Sequence, residues 1–239
     1  GNQFVWIPVD DMSTFVREAG YFEGKVQTAD IQYIDITKCE EPYSDASESE
    51  KQEYENMVKS VEEYKGFYIG RYEMSKSENG SERPQSKKGK SPWVNISWAT
   101  DMKNLSGGIV SVARSMYPNR EEIRKGKVIS TLIYGVAWDE TIRFLKTKDE
   151  YKNIDKDSTG FGNLETGSMS LTGDKLEYSL NNIYDFVGNV WEWTMEAYNG
   201  QAVDTNKGHI YRGGAFRNNG YSYPVSHRGI FVNVNSKDS

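Results

Sequence analysis

Asn182-Ile-Tyr-Asp-Phe-Val-Gly-Asn-Val-Trp-Glu-Trp193 decides how the rest of the chain is read. In an extended segment, residues two apart share a face, so Trp191 and Trp193 project together and Val190 and Glu192 project oppositely. Indole N–H groups seek partners when buried, and the plainest reading makes both tryptophans core aromatics with Glu192 paired to a buried donor. Further on, Gly213-Gly214 within Tyr211-Arg-Gly-Gly-Ala-Phe216 most simply permits positive φ or close backbone approach. A phosphate-cradling GxGxxG pattern is absent.

Upstream, Phe4 to Pro8 reads as a short strand, and an opening straight into a strand implies a trimmed natural N-terminus. Residues 9–66 are polar, with nine acids between 40 and 63 against Lys51 and Lys59, and read as an insertion lying on the domain. Within it, Ser47 followed by Glu50 is a capping-box start, and Tyr54, Met57, Val61 and Tyr64 recur at helical spacing, predicting a solvated helix from about 48 to 65. Phe67 to Glu73 is rich in strand formers. Residues 75–91 lack periodicity, and their basic cluster Lys87, Lys88 and Lys90 reads as solvated. Helical patterns follow at Trp98 to Leu105 and Trp138 to Leu145, the latter with Asp139 and Glu140 placed in its first turn, where the helix dipole favours acids. Beyond residue 150, glycines punctuate short apolar clusters. No repeat or Pro-rich linker interrupts the chain, so residues 1–239 read as a single α+β domain with few helices, short strands and many loops.

Composition narrows the function. The 239 residues are 36% apolar, below the roughly 45–50% of average chains, yet 13% are aromatic, enough bulk for a substantial core. A net charge of −6 argues against duplex DNA as partner, because neutralising phosphate supplies most of that affinity. One cysteine, Cys39, forbids an internal disulfide or a cysteine-based zinc cluster, and two histidines, His209 and His227, forbid a His-rich metal site. No apolar run is long enough to span a bilayer.

The 182–193 segment resembles the GNVWEW signature of the formylglycine-generating-enzyme (sulfatase-modifying factor) family, whose domain is a variant of the C-type lectin-like fold. Other landmarks of that family recur in order: Phe4-Val-Trp-Ile-Pro8, Phe67-Tyr-Ile-Gly-Arg-Tyr-Glu73, Pro92-Trp-Val-Asn-Ile-Ser-Trp98, Ser130 to Asp139, and Tyr211 to Phe216. The resemblance implies a structural calcium on Asp185, Gly188, Val190 and Glu192, where catalytic members carry Asn at the first position. Carboxylates and carbonyls are the hard oxygen ligands calcium takes, although Asp185 also suits a turn cap. The family's other calcium loop has no counterpart around 153–161.

The resemblance also implies that catalysis needs two cysteines just after the RGG segment, to bind copper and activate oxygen. Residues 215–228 contain none, and amides or phenols do not replace a soft copper ligand. The related sulfoxide-synthase branch needs a three-histidine iron site that two histidines cannot build. A GxSxG elbow is absent, and no carboxylate pair is singled out. The chain therefore reads as non-catalytic and copper-free, with an enzyme of unknown type as the minor alternative.

From Ala215 onward, Phe216, Arg217, Asn218, Asn219, Tyr221, His227, Ile230 and Phe231 form the mixture of rigid aromatics and adaptable amides found in antibody-like surfaces. They are expected to form one exposed patch, alternating with packed residues such as Ala215 and Val225. The stretch 215–239 resembles the C-terminal variable region of diversity-generating-retroelement target proteins, although the closing Gly-Phe-Arg strand of such regions is missing. The resemblance implies a binder of a protein or cell-surface ligand, on a bacterial surface or phage particle. A non-diversified surface or phage adhesion module is the alternative.

Overall fold

A computed structural model describes residues 1–18, 38–42, 46–78, 83–100, 106–117, 128–199 and 208–231. Along the chain run β1 (Phe4–Pro8), β2 (Cys39–Glu40), α1 (Glu48–Tyr64), β3 (Gly66–Gly70), β4 (Met74–Lys76), β5 (Pro84–Ser86), α2 (Ile109–Ser115), α3 (Gly135–Lys146), β6 (Ser179–Leu180), β7 (Ile183–Tyr184), β8 (Glu192–Tyr198), β9 (Gly208–Arg212) and β10 (Gly229–Phe231). An antiparallel sheet in the order β10-β9-β8-β2 sets Cys39–Glu40 beside three strands from the last fifty residues, and β1-β3, β4-β5 and β6-β7 form two-stranded ladders. Mixed helix and sheet with short strands matches the α+β expectation.

Helix α1 begins as its sequence dictates. Ser47 Oγ accepts from the Glu50 amide, and Glu50 Oε2 accepts from the Ser47 amide at 2.7 Å, closing the capping box. It ends at Lys65 in the left-handed region, and Gly66 turns the chain directly into β3. A Cβ on Gly66 would lie 2.3 Å from the Ile7 carbonyl, so only glycine lets β3 pair with β1 at Pro8. Tyr54, Met57, Val58 and Val61 pack on the core, so the helix lies on the domain by its apolar stripe.

Several sequence expectations are corrected. The strand from Phe67 ends at Gly70, leaving Glu73 outside it. Residues Trp98 to Thr100 are not helical, and 101–105 lie outside the described residues. Cys39 is not confined to an insertion: it pairs with Tyr198 at the edge of the main sheet and is buried. Within the 215–239 stretch, Gly229–Phe231 forms a strand antiparallel to β9, and residues 232–239 lie outside the described residues.

Two apolar clusters flank α3 and the sheet. One gathers Trp98, Val110, Leu132, Tyr134, Val136, Trp193 and Met195. The other gathers Ile7, Trp138, Ile142, Leu145, Ile154, Phe186 and Val225. The buried indoles find their partners: Trp98 donates to Thr194 O at 2.8 Å, Trp138 to Val225 O at 2.9 Å and Trp193 to Ile96 O at 3.2 Å.

A ring of four buried charges ties α3 to the main sheet. Arg212 donates to Asp139 Oδ1 at 2.6 Å and Glu196 Oε2 at 3.3 Å; Arg228 donates to Asp139 Oδ2 at 2.5 Å and Glu196 Oε1 at 3.0 Å. A register shift between Trp193 and Ala197 breaks the alternation of β8, and Thr194, Met195 and Glu196 are all buried. Helix α3 starts at Gly135, earlier than its apolar pattern suggested, so Asp139 falls beyond the first turn and enters the ring. The helix N-terminus is met instead by Glu41, whose carboxylate accepts from the amides of Gly135 at 2.5 Å and Val136 at 2.9 Å.

A Cβ on Gly135 would lie 2.6 Å from Glu196 Oε2 and 3.2 Å from its Cβ. Because two arginines pin that carboxylate, it cannot swing away. Gly135→Ala should therefore destabilise the protein by about 1–3 kcal/mol despite alanine's better helix propensity, read as a lower urea midpoint at constant slope. An unchanged midpoint would show that the ring yields.

Candidate functional site

Directly after Arg212 in the ring, Gly213 and Gly214 take φ of 91° and 80° and turn the chain out of the sheet. Gly213 O accepts from Gly188 N at 2.8 Å and Asn189 O from Phe216 N at 3.0 Å, tying the segment to the GNVWEW stretch. Phe216 O accepts from Thr166 N and Asn218 O from Glu165 N, so a second loop holds it from the other side.

This geometry sorts the eight candidate contact residues. Arg217 and Tyr221 are exposed, with Arg217 Cζ 5.2 Å from the Phe216 ring centroid, and Phe216 and Ile230 are half-buried. Asn218 and Asn219, also half-buried, work on the backbone: their Oδ1 atoms accept from Ala215 N at 2.8 Å and Ser222 N at 2.7 Å. His227 is a correction. It is 4% exposed, behind Trp191 and Tyr223, and burial, with Arg212 and Arg228, pushes its pKa down to about 3, so it does not belong to an exposed patch. The backbone of Phe231 lies in β10, and its side chain falls outside the described residues. Of the expected packed residues, Val225 is fully buried and Ala215 half-buried.

Beside this surface, half-buried Trp191 meets Tyr211 edge-on at 4.7 Å and Tyr223 at 5.8 Å. Trp193 meets the same Tyr211 at 5.9 Å, so the two indoles do share a face, but only Trp193 belongs to the core.

The four calcium candidates surround a second polar centre. Asp185 is 1% exposed; its Oδ2 accepts from Gly173 N at 2.6 Å, as a turn cap does, while its Oδ1 has no hydrogen-bond partner among the described residues. Gly188 and Val190 lie in the backbone between Asp185 and Glu192, with Val190 N donating to Glu73. Burial and the Asp185 charge push Glu192 up to about 8, and burial, joined by the Asp174 charge, pushes Asp185 up to about 6. Glu73 is raised well above the usual range by burial and by both of these carboxylates, against hydrogen bonds from Asn189 at 2.5 Å and Val190 N. Three uncompensated carboxylates are the donor chemistry of a hard cation, although among the described residues no three such side chains stand at metal-holding spacing.

Neither Glu73 nor the ring has a signature in the sequence: Arg212 lies within the RGG segment and Asp139 has the pattern of a first-turn acid, but they meet Glu196 and Arg228 only in the fold.

A family model for the sulfatase-modifying factor enzyme 1-like domain matches residues 45–238. The chain belongs to this family. Its Gly188–Trp193 and Arg212–Gly214 segments are thus brought together by the Gly188-to-Gly213 hydrogen bond within that match. Neither a curated protein nor a solved structure matches the chain.

Carboxylates with folded pKa values above their unfolded ones hold protons that the unfolded chain has released. Their contribution therefore falls as pH rises from about 4.5 toward 8. Glu192→Gln should flatten that decline and raise the melting temperature at pH 8 relative to the parent. A steeper or unaltered pH profile would remove the carboxylate cluster as its source.

Proposed function

We propose that this sulfatase-modifying-factor-like chain is a non-catalytic binding protein on a C-type lectin-like scaffold, displaying the segment after Gly214 to a protein or cell-surface ligand. One observation carries the reading: residues 213–227 are bracketed by Arg212 and Arg228, and both guanidiniums rest on the same two buried carboxylates. The ends of the segment are fastened by groups outside its interior, which leaves an exposed position such as Arg217 open to substitution. That is the demand placed on a loop diversified by a retroelement, and on a display site at a bacterial surface or phage particle. The absence of cysteine from 215–228 supports the non-catalytic part.

The contact set consists of Phe216, Arg217 and Tyr221; Ile230 packs instead against Cys39, Tyr198 and Ile210. An exposed cation on an aromatic neighbour is the kind of group that dominates interfaces. Asn218 and Asn219 shape the turn that presents it.

The test compares the parent chain with its Phe216→Ala, Arg217→Ala, Tyr221→Ala triple variant against binders selected on the parent from a displayed protein library. The variant should lose binding by about a hundredfold or more, roughly 2.8 kcal/mol, while melting within a few degrees of the parent. Retained binding would place recognition elsewhere. A reverse transcriptase and a near-copy of the segment encoding 215–235 in the neighbouring DNA, differing mainly at adenines, would establish diversification; identical residues there across isolates would leave a fixed adhesion module.

We further propose that the Asp185 to Glu192 stretch holds a structural calcium, with Glu73 beside it. When bound, the ion supplies the positive charge this centre lacks. Millimolar calcium should raise the melting temperature over chelator, by about 1.4 kcal/mol per tenfold excess over Kd, and more at pH 8 than at pH 5. A melting temperature indifferent to calcium at both pH values would eliminate the site.

A further inference from the structure

A cleft of 240 Å³ is lined by Lys76, Lys90, Ser91, Pro92, Trp93 and Val94, none of them in the segment after Gly214. Its volume lies below the roughly 300–1,000 Å³ of pockets for drug-sized molecules, which suits one small ring with a charged substituent.

The walls are built rather than loose. Trp93 N donates to Met74 O at 2.8 Å, and Pro92 bridges to Ser75, fixing this backbone beside β4. On the other side, fully buried Thr172 clamps the basic segment: Gly89 N donates to its carbonyl at 2.6 Å, Thr172 N donates to Lys90 O at 2.8 Å, Lys90 N donates to Thr172 Oγ1 at 3.0 Å, and Thr172 Oγ1 donates to Lys87 O at 2.6 Å. Lys90 thus projects from a rigid base.

The chemistry of the lining is specific. Lys76 Nζ sits 4.8 Å from the centroid of the half-buried Trp93 ring. Lys90 Nζ is already ion-paired with a carboxylate, that of the exposed Glu78. An incoming carboxylate can therefore exchange with Glu78, and Lys76, on its flexible four-carbon stem, can swing from the indole to meet the same charge. Trp93, Pro92 and Val94 offer an apolar wall for the flat face of a ring.

We propose that this cleft binds a small carboxylate-bearing ring, the class represented by uronic-acid sugars. The site is independent of the display surface, and the Phe216, Arg217, Tyr221 triple variant keeps it.

The experiment titrates the whole chain with sodium glucuronate, methyl glucoside, sodium acetate and inorganic phosphate, following tryptophan indole N–H signals by NMR, with Trp93→Phe identifying the reporting signal. Glucuronate should shift the Trp93 signal saturably, with the other three weaker by about tenfold or more. Lys90→Gln, at a solvent-reaching side chain, should weaken glucuronate about tenfold with an otherwise unchanged spectrum, and Glu78→Gln, which removes the internal competitor, should tighten it. Equal binding of acetate or phosphate would reduce the cleft to a simple anion site and overturn the proposal. So would equal binding of methyl glucoside, indifference to Lys90→Gln, or no saturable shift.

Discussion

Four buried charges hold this fold in register. Asp139 comes from helix α3, Glu196 from the irregular part of β8, Arg212 from the end of β9 and Arg228 from just before β10. Burial alone would push Asp139 upward, but the two guanidiniums outweigh it and hold its carboxyl below the usual range. Removing one member would strand an uncompensated charge, at a cost of about 3–5 kcal/mol, so none of the four elements can be displaced alone without that penalty. The N-terminal stretch joins the arrangement: Glu18 N donates to Asp139 Oδ2 at 2.9 Å and Arg17 to Glu196 Oε1 at 3.4 Å.

The contrast with the second polar centre is instructive. In the ring, two cations match two anions. Around Glu73, Asp185 and Glu192 the acids face one another, and protons or a cation must supply what guanidiniums supply in the ring. The two centres are only a few residues apart on β8, since Glu192 opens the strand and Glu196 lies within it. One strand thus carries both a self-neutralised anchor and a site whose stability follows the solution.

Local patterns were readable in the sequence wherever a local rule governs. Ser47 and Glu50 announced their capping box because both partners lie within one turn, and Phe4–Pro8 announced a strand through its own composition. The RGG turn was legible because glycine alone tolerates its φ values comfortably. What escaped was non-local. Asp139 and Arg228 are 89 residues apart, and nothing near either says that they meet. His227 was misplaced for the same reason: a histidine in a polar, aromatic-rich stretch resembles a contact residue until the fold packs Trp191 and Tyr223 over it. Asn218 and Asn219 look like adaptable amides in sequence, whereas in the structure each satisfies a backbone N–H three residues away.

Helix α1 and strand β3 meet at a single joint, where Lys65 closes the helix and Gly66 opens the strand. A side chain there would strike both the Ile7 carbonyl and the Trp6 indole of β1. A residue inserted or removed at this joint would therefore carry the β1–β3 pairing out of register, turning inward-facing side chains outward, so the length of the joint is as fixed as its glycine.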